Sequence, residues 1–130
     1  MQLQRQYNVL LIGDSCTDEW AYGSCDRLSP EAPIPVMKFR EHQSAPGMAA
    51  NVNENLKSLG INVNFLTNRE KIVKTRYVDD RSNQQIMRLD TEPVVKPLHP
   101  SQLTMAAMHS EYDAVVISDY DKGFVGYDII

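Results

Sequence analysis

Cysteine is scarce in this 130-residue chain, and no long hydrophobic run occurs in it. The two cysteines, Cys16 and Cys25, belong to no C-x-x-C motif, which predicts reduced thiols in a cytoplasmic protein. No apolar stretch approaches the roughly 20 residues of a membrane-spanning helix. The polar residues 1–8 do not resemble a signal peptide. We therefore expect a cytoplasmic protein with no membrane partner.

Basic residues are fewer than acidic ones, 13 Lys and Arg against 17 Asp and Glu, so the chain has a net charge of −4 at pH 7. This balance argues against nucleic acid as a main partner, since nucleic-acid binding depends on clustered Lys and Arg. The three histidines are scattered, which predicts no metal site; they are His42, His99 and His109. With 42% hydrophobic and 23% charged residues, a chain of this length is typical of one soluble globular domain.

Glycine is also sparse, with six residues, and the motifs that bind nucleotide phosphates are missing. The sequence contains neither G-x-x-x-x-G-K-[ST] nor G-x-G-x-x-G. Only Gly123 and Gly126 lie close together, and they lack the small residues and the following acid of a phosphate-binding loop. No Ser, His and Asp residues are spaced as a nucleophilic triad. These patterns alone therefore indicate no reaction type and leave a soluble α/β domain with a polar rim that can bind a ligand.

What the sequence does contain is an alternation of strands and helices. The apolar run 7–12 predicts a buried, parallel central strand, and the run 113–118 predicts a second one. Between them, residues 47–59 predict a helix and residues 61–67 a strand, an order that favours an α/β fold with a right-handed crossover. Further predicted elements are an edge strand over 36–40, paired strands over 71–80 and 84–90, and a short helix from the N-cap Ser101 to Met108.

Acidic residues follow both predicted buried strands. Asp14 comes directly after the first strand, Asp18 lies in a polar and aromatic segment over 15–24 that we interpret as surface, and residues 119–122 follow the second strand. Ligands of open α/β sheets bind at the rim where parallel strands end. Carboxylates there can accept hydrogen bonds from sugar hydroxyls or hold a cation. The alternative is that Asp14 caps its loop and that Asp18 is only solvated.

Basic residues mark the two paired strands and the second rim segment. Lys74 and Arg76 share one face of a strand because strand side chains alternate, and Arg88 lies on the partner strand. Such a set can grip a phosphate, for which arginine offers a bidentate fork. The alternative is a charged edge that discourages aggregation. Lys122 can counter phosphate charge during transfer, or it can pair with a neighbouring aspartate.

A Pro46-Gly47 turn leads into the first predicted helix, and Asn51 falls in its first turn. Free backbone N–H groups and the helix dipole meet there, so Asn51 is a candidate ligand-binding residue. The alternative is an ordinary loop before an ordinary helix. Val52, Leu56 and Leu59 at i, i+4 and i+7 predict an apolar face that packs on a core.

Taken in order, these segments resemble the amino-terminal half of the ribokinase-like (PfkB-type) carbohydrate kinases, and most closely the heptose 7-phosphate kinase branch. The motifs that carry the resemblance are G-D-x-x-x-D over 13–18, S-P-E-A-P-I-P-V over 29–36, P-G-x-A-A-N-V over 46–52, K-x-R over 74–76, Q-Q-x-x-R-x-D over 84–90 and S-D-Y-x-K-G over 118–123. The resemblance covers nearly the whole chain.

The resemblance implies a truncated, Rossmann-like ribokinase-type sheet: one domain over 1–130 with a small β-strand lid at about 33–40 and 71–90. It also implies a sugar or sugar-phosphate substrate, ATP and Mg²⁺ as cofactors, and dimer contacts through the lid. Carried over position by position, the candidate sugar-binding residues are Asp18, Gly47 and Asn51, together with Asp14. Arg88 and Lys122 are the candidates for the substrate phosphate or the transferring phosphoryl group.

Three departures from the family pattern accompany this resemblance. Met48 replaces the second glycine of P-G-G, and a helix and a strand that the family carries after Asn68 are missing. The sequence also lacks the family's G-A-G-D motif, which holds the catalytic base and the anion hole. We therefore expect this chain alone to be inactive as a kinase and to bind no ATP, and we expect it to self-associate or to pair with a carboxyl-terminal half. The alternatives are a noncatalytic module that binds sugar phosphate or dimerises, and a gene remnant.

Overall fold

The computed structural model describes residues 5–126. Its elements in chain order are β1 (Asn8–Gly13), β2 (Ser15–Leu28), β3 (Pro35–Met48), α1 (Ala49–Ser58), β4 (Asn62–Thr67), β5 (Val73–Asp79), β6 (Gln84–Thr91), α2 (Pro100–His109) and β7 (Ala114–Ser118). They divide into two compact units. The helix-bearing unit comprises residues up to 16, residues 46–71 and residues from 93 onward; the all-β unit comprises residues 17–45 and 72–92.

The helix-bearing unit is built on a parallel sheet with the strand order β4-β1-β7. Its central strand β1 is the core of the unit, because Val9, Leu10, Leu11 and Ile12 are all buried. Both faces of a central parallel strand are usually covered, which explains the continuous apolar run at residues 9–12. The predicted α/β class and the predicted central strand are confirmed.

Strand β7 differs from the prediction, which made it a second buried strand. Val115 is 57% exposed and Ile117 is 42% exposed. In the described part of the chain β7 is hydrogen-bonded to β1 alone, so it forms an edge of the sheet. An apolar run cannot by itself distinguish an edge strand from a central one.

Helix α1 occupies nearly the predicted range, but a different face of it is buried. Ala49 and Asn53, four residues apart, are the buried residues of the helix, and Val52 and Leu56 are only half-buried. Leu59 is 75% exposed, so its predicted core position is wrong. The reason is that Leu59 is already the C-cap residue, beyond the last turn whose side chains face the sheet.

Helix α2 begins at Pro100 with His99 as its N-cap, and not at the predicted N-cap Ser101. The His99 side chain accepts a hydrogen bond from the backbone N–H of Ser101. Proline fits the first helical position because no N–H is needed there. Ser101 therefore lies inside the first turn. Neither described helix has the length and apolarity that crossing a bilayer requires.

The all-β unit is a mixed sheet with the strand order β3-β2-β5-β6. Strands β2 and β5 are parallel, and β5 and β6 form the predicted antiparallel pair with a bulge after Tyr77. The interpretation of residues 15–24 as surface and not core is corrected, because they lie within the 14-residue strand β2, where Cys16 and Ala21 are buried. The predicted edge strand over 36–40 is part of β3, which is also 14 residues long. This unit contains the segments assigned to a lid, and that role stays a prediction.

Candidate functional site

Asp14 is enclosed at the carboxyl end of β1, with no exposed surface. Its Oδ2 accepts hydrogen bonds from the backbone N–H groups of Tyr120 (2.9 Å) and Lys122 (3.3 Å), and its Oδ1 accepts one from Phe124 (3.0 Å). Backbone N–H groups satisfy the buried charge, so one side chain fixes the loop that follows β7. This geometry supports the alternative in which Asp14 caps a loop. Its contact with a substrate stays a prediction.

Gly13 allows three segments to converge beside Asp14. A Cβ atom at Gly13 would overlap the carbonyl oxygen of Ser118 and come within 2.8 Å of the Ala49 Cβ. The backbone N–H of Ala49 in turn donates to the Asp14 carbonyl at 2.9 Å. The end of β1, the start of α1 and the end of β7 thus meet because Gly13 has no side chain. The G-D pair is a packing requirement of this fold.

Met48, which replaces the second glycine of the family's P-G-G motif, has a backbone conformation that is typical of glycine. Met48, the N-cap residue, has φ 56° and ψ −132°, and its side chain is buried. This conformation is costly for a residue with a side chain and nearly free for glycine. Gly47 is also buried, whereas Asn51 is exposed in the first turn of α1. The structure therefore leaves Asn51 accessible to a ligand, and its binding role stays a prediction.

Six polar or aromatic side chains form two rows across one face of the all-β unit. The strand register pairs Asp18 with Lys74 and Trp20 with Arg76. It then pairs Lys74 with Asp90 and Arg76 with Arg88. We call these the outer row (Asp18, Lys74, Asp90) and the inner row (Trp20, Arg76, Arg88). Lys74, Arg76 and Arg88, identified from the sequence as one basic set, are thus neighbours across β5 and β6.

Ion pairs link the two rows. The Arg76 Nη1 atom lies 2.7 Å from Asp18 Oδ1, and its guanidinium carbon lies 5.2 Å from the centroid of the Trp20 ring. Arg88 makes a bidentate contact with Asp90, with Nε–Oδ1 at 2.8 Å and Nη2–Oδ2 at 3.0 Å. Two arginines opposite each other repel, and one carboxylate beside each of them offsets that repulsion. The Lys74 ammonium forms no ion pair with a described residue.

Sequence reasoning missed the partners within these rows. It placed Asp18 as a solvated or sugar-facing acid, without its arginine, because the pairing of β2 with β5 joins residues more than fifty positions apart. The alternation of Asp18 and Trp20 was the available signal that both lie on one strand face. For Lys122, the structure shows a hydrogen bond from its backbone N–H to Asp14, and its substrate-facing role stays a prediction.

The resemblance implies ATP and Mg²⁺ as cofactors, and the structure describes residues 5–126. Within that range no group of three or more His, Cys, Asp or Glu side chains could hold a metal ion. Asp14, the carboxylate at the end of the central strand, is occupied by three backbone N–H groups. The predicted absence of ATP binding by this chain alone stays a prediction, and we derive no step through these cofactors.

The chain was compared with known proteins, and no family model matches it. It is 30% identical to the bifunctional protein HldE of Helicobacter hepaticus, over 93% of this chain and 32% of the relative. It is 35% identical to HldE of Campylobacter jejuni, over 94% of this chain and 32% of the relative. This chain is a homologue of part of HldE. The predicted resemblance is confirmed, and the chain spans about a third of the length of these relatives.

Alignment lengths differ among the HldE relatives. The alignment with the Helicobacter hepaticus protein runs over 154 positions, more than this chain has, so that relative contains residues with no counterpart here. The alignment with HldE of Edwardsiella ictaluri, at 34% identity, runs over 129 positions, 95% of this chain and 25% of the relative. The predicted loss of a helix and a strand after Asn68 stays a prediction.

Solved structures of sugar kinases overlap with this HldE homologue at low identity. A microbiome-derived acarbose kinase aligns over 87% of this chain and 46% of its own, with a TM-score of 0.47 and 15% identity. Ribokinase from Thermotoga maritima aligns over 84% of this chain and 44% of its own, with a TM-score of 0.42 and 14% identity. No residue role is taken from these overlaps.

Proposed function

We propose that this chain supplies the sugar-phosphate-binding part of a carbohydrate kinase that acts on a heptose 7-phosphate. The observation that carries the proposal is the pair of rows in the all-β unit, in which three cations converge across β5 and β6. Homology to HldE over 93% of the chain supports the choice of substrate class. Gly47 and Asn51, in the helix-bearing unit, remain the other candidate sugar contacts.

Arg88 and Lys74 are the residues best suited to a phosphate group. The Arg88 side chain is half exposed, and Asp90 is its one ion-pair partner among the described residues. Exposed ion pairs of this kind are worth about 0–1 kcal/mol, so a dianionic phosphate can take the place of the carboxylate at little cost. Arginine presents two parallel N–H groups to phosphate, and the unpaired Lys74 ammonium adds a second charge.

Arg76 and Asp18 are better suited to positioning and to the sugar hydroxyls. Both side chains are about three-quarters buried, at 24% and 21% exposure, and Trp20 covers the guanidinium. Asp18 uses Oδ1 for Arg76, and its Oδ2 accepts no hydrogen bond from a described residue. That oxygen is available to a ligand hydroxyl. We therefore assign phosphate to Arg88 and Lys74, and a hydroxyl to Asp18.

Calorimetric titration of the chain with heptose 7-phosphate tests this proposal, with the unphosphorylated heptose as the second ligand. We expect Arg88→Gln and Lys74→Gln each to weaken binding of the phosphorylated sugar roughly tenfold, because each removes a charge-assisted hydrogen bond. Arg81→Gln is the matched control, since Arg81 lies in the turn between β5 and β6, outside the rows. Equal losses in all three variants, or no binding at all, would overturn the proposal.

We further propose that phosphoryl transfer needs groups other than those of residues 5–126, because the sequence lacks the G-A-G-D motif that holds the catalytic base in the family it resembles. The competing proposal is a noncatalytic binding module. An assay for ATP-dependent phosphorylation of heptose 7-phosphate, with the chain alone and with HldE segments added, separates the two. Turnover in any mixture supports a kinase part, whereas binding without turnover supports the module.

The expected cytoplasmic location and self-association are likewise proposals. Neither Cys16 nor Cys25 forms a disulfide within residues 5–126. Partial burial, followed by the nearby Asp79, raises the pKa of Cys25, which keeps this thiol protonated and slow to oxidise.

The exposed apolar side chains of β7 support self-association at the sheet edge. Sedimentation analysis should show an oligomer, and a stable monomer would contradict this.

A further inference from the structure

A cavity of about 380 Å³ opens at the carboxyl end of β4, beside the first turn of α2. All of its lining residues belong to the helix-bearing unit. Those that matter chemically are Arg69, Glu70, Lys96, His99 and Gln102. None of them belongs to the candidate set derived above. We call this cavity the donor pocket, after the hydrogen-bond donors in its lining.

Two cations of the donor pocket have no partner in the described part of the chain. Neither the Arg69 guanidinium nor the Lys96 ammonium forms an ion pair there, although most other arginines of this protein do. Glu70 is the one carboxylate among the lining residues, and α2 has no acidic residue in its first turn. The pocket therefore has more positive than negative charge in a protein whose net charge is −4.

The capping of α2 makes two further lining groups into donors. His99 Nδ1 accepts the Ser101 backbone N–H at 3.2 Å, so the ring proton of the neutral imidazole is on Nε2. Gln102 Oε1 accepts the His99 backbone N–H at 3.2 Å, which leaves its amide NH₂ as a donor. Both side chains are fixed by the helix start that they cap. Four of the five polar lining groups named above thus offer N–H donors.

We propose that the donor pocket binds the phosphate group of a small phosphate monoester. A dianion with several acceptor oxygens matches two cations and two neutral N–H donors, and Arg69 can engage it with two parallel bonds. The volume suffices for a phosphate carrying a small sugar or polyol. The donor pocket shares no residue with the rows in the all-β unit, so this proposal can be tested separately from the proposed function.

The test uses the full chain carrying Lys74→Gln and Arg88→Gln, which removes the proposed phosphate contacts of the all-β unit. Titrations with glucose 6-phosphate, inorganic phosphate and glucose are followed by calorimetry. We expect both phosphorylated probes to bind and glucose not to bind. Arg69→Gln or Lys96→Gln should each weaken glucose 6-phosphate binding roughly tenfold, by the loss of one charge-assisted hydrogen bond.

Two further variants distinguish a binding site from a general charge effect. Lys71→Gln is the matched control, an exposed lysine of the same unit outside the pocket, and should change binding less than twofold. Glu70→Gln should strengthen binding several-fold, because it removes a like charge from beside the phosphate. Circular dichroism confirms that each variant is folded, and if Arg69→Gln is not, Lys96→Gln gives the same readout.

Three outcomes would overturn the inference. The first is a failure of glucose 6-phosphate to bind, whether or not inorganic phosphate does. The second is a loss in Lys71→Gln equal to that in Arg69→Gln. The third is weaker binding in Glu70→Gln. None of these outcomes bears on the rows, because the background variant already lacks their phosphate contacts.

Discussion

The two aspartates of the G-D-x-x-x-D segment lie four residues apart in sequence, and they meet opposite environments. Asp14 is fully buried and is satisfied by three backbone N–H groups of one loop. Asp18 is partly exposed, and one of its carboxylate oxygens forms an ion pair with the side chain of Arg76. Backbone donors hold a carboxylate in place permanently, whereas a side-chain partner can share it with a ligand. The difference separates a structural acid from a ligand-facing one.

The largest expected effect comes from the buried acid. Asp14→Ala leaves three backbone N–H groups without an acceptor and frees the loop after β7, so the free energy of unfolding should fall by about 3 kcal/mol. Urea unfolding measures the loss. Asp119→Ala, in the same loop but exposed, should cost less than about 1 kcal/mol. If Asp14→Ala lowers the free energy of unfolding by less than about 1 kcal/mol, Asp14 contributes no more to stability than the exposed Asp119, and its structural role is contradicted.

The ligand-facing acid should show the reverse pattern. Asp18→Asn keeps the shape of the side chain but weakens the contact with Arg76, and Trp20 still holds that arginine. Stability should therefore change by about 1 kcal/mol or less. Binding of heptose 7-phosphate should fall roughly tenfold, as a hydrogen bond to a charged acceptor is lost. Calorimetry and urea unfolding on the same sample give both values, and a stability loss with unchanged affinity would assign Asp18 to structure.

Met48 extends the comparison to the start of α1. Met48→Ala and Met48→Gly both lose the buried side chain, but only the glycine variant relieves the positive φ angle. The free energy of unfolding of Met48→Gly should therefore be about 1 kcal/mol higher than that of Met48→Ala, as measured by urea unfolding. Equal stabilities of the two variants would show that the backbone there is unstrained.

The smallest expected effect concerns a third aspartate, Asp79 at the end of β5. Hydrogen bonds from the Ser82 side chain (2.6 Å) and backbone (2.9 Å) lower the pKa of Asp79 below its ordinary value of 3.8. A lowered folded-state pKa contributes stability above the unfolded-state value, and this contribution disappears as the pH falls through the folded-state pKa. Thermal unfolding between pH 6 and pH 3 should thus be less pH-dependent in Asp79→Asn. An unchanged pH dependence would contradict this.

Local sequence patterns predicted much of the fold because the deciding forces were local. Residues 9–12 are all apolar since β1 is buried there, and the two extended runs around the turn at 79–83 predicted that β5 and β6 pair. The errors arose where a neighbour decides the outcome. Ile117 is exposed because β7 lies at an edge, and Leu59 because α1 ends one residue earlier.

The candidate site was predictable by residue type but not by arrangement. Lys74, Arg76 and Arg88 were identified as a basic set on the two paired strands, and the structure does bring them to one face. The partner of Asp18 depends on the register between β2 and β5, which no short motif encodes. The donor pocket likewise joins residues 69 and 96, which neighbour one another only after the chain has folded.

The most direct test of the contrast between the two acids is an NMR titration of the labelled chain with heptose 7-phosphate. Backbone amide signals of Asp18, Lys74 and Arg88 should shift with a common saturation curve. The amides of Tyr120, Lys122 and Phe124, which are bonded to Asp14, should retain their positions. Shifts at the Asp14-bonded amides without shifts along the rows would contradict the assignment of structure to Asp14 and of ligand to Asp18.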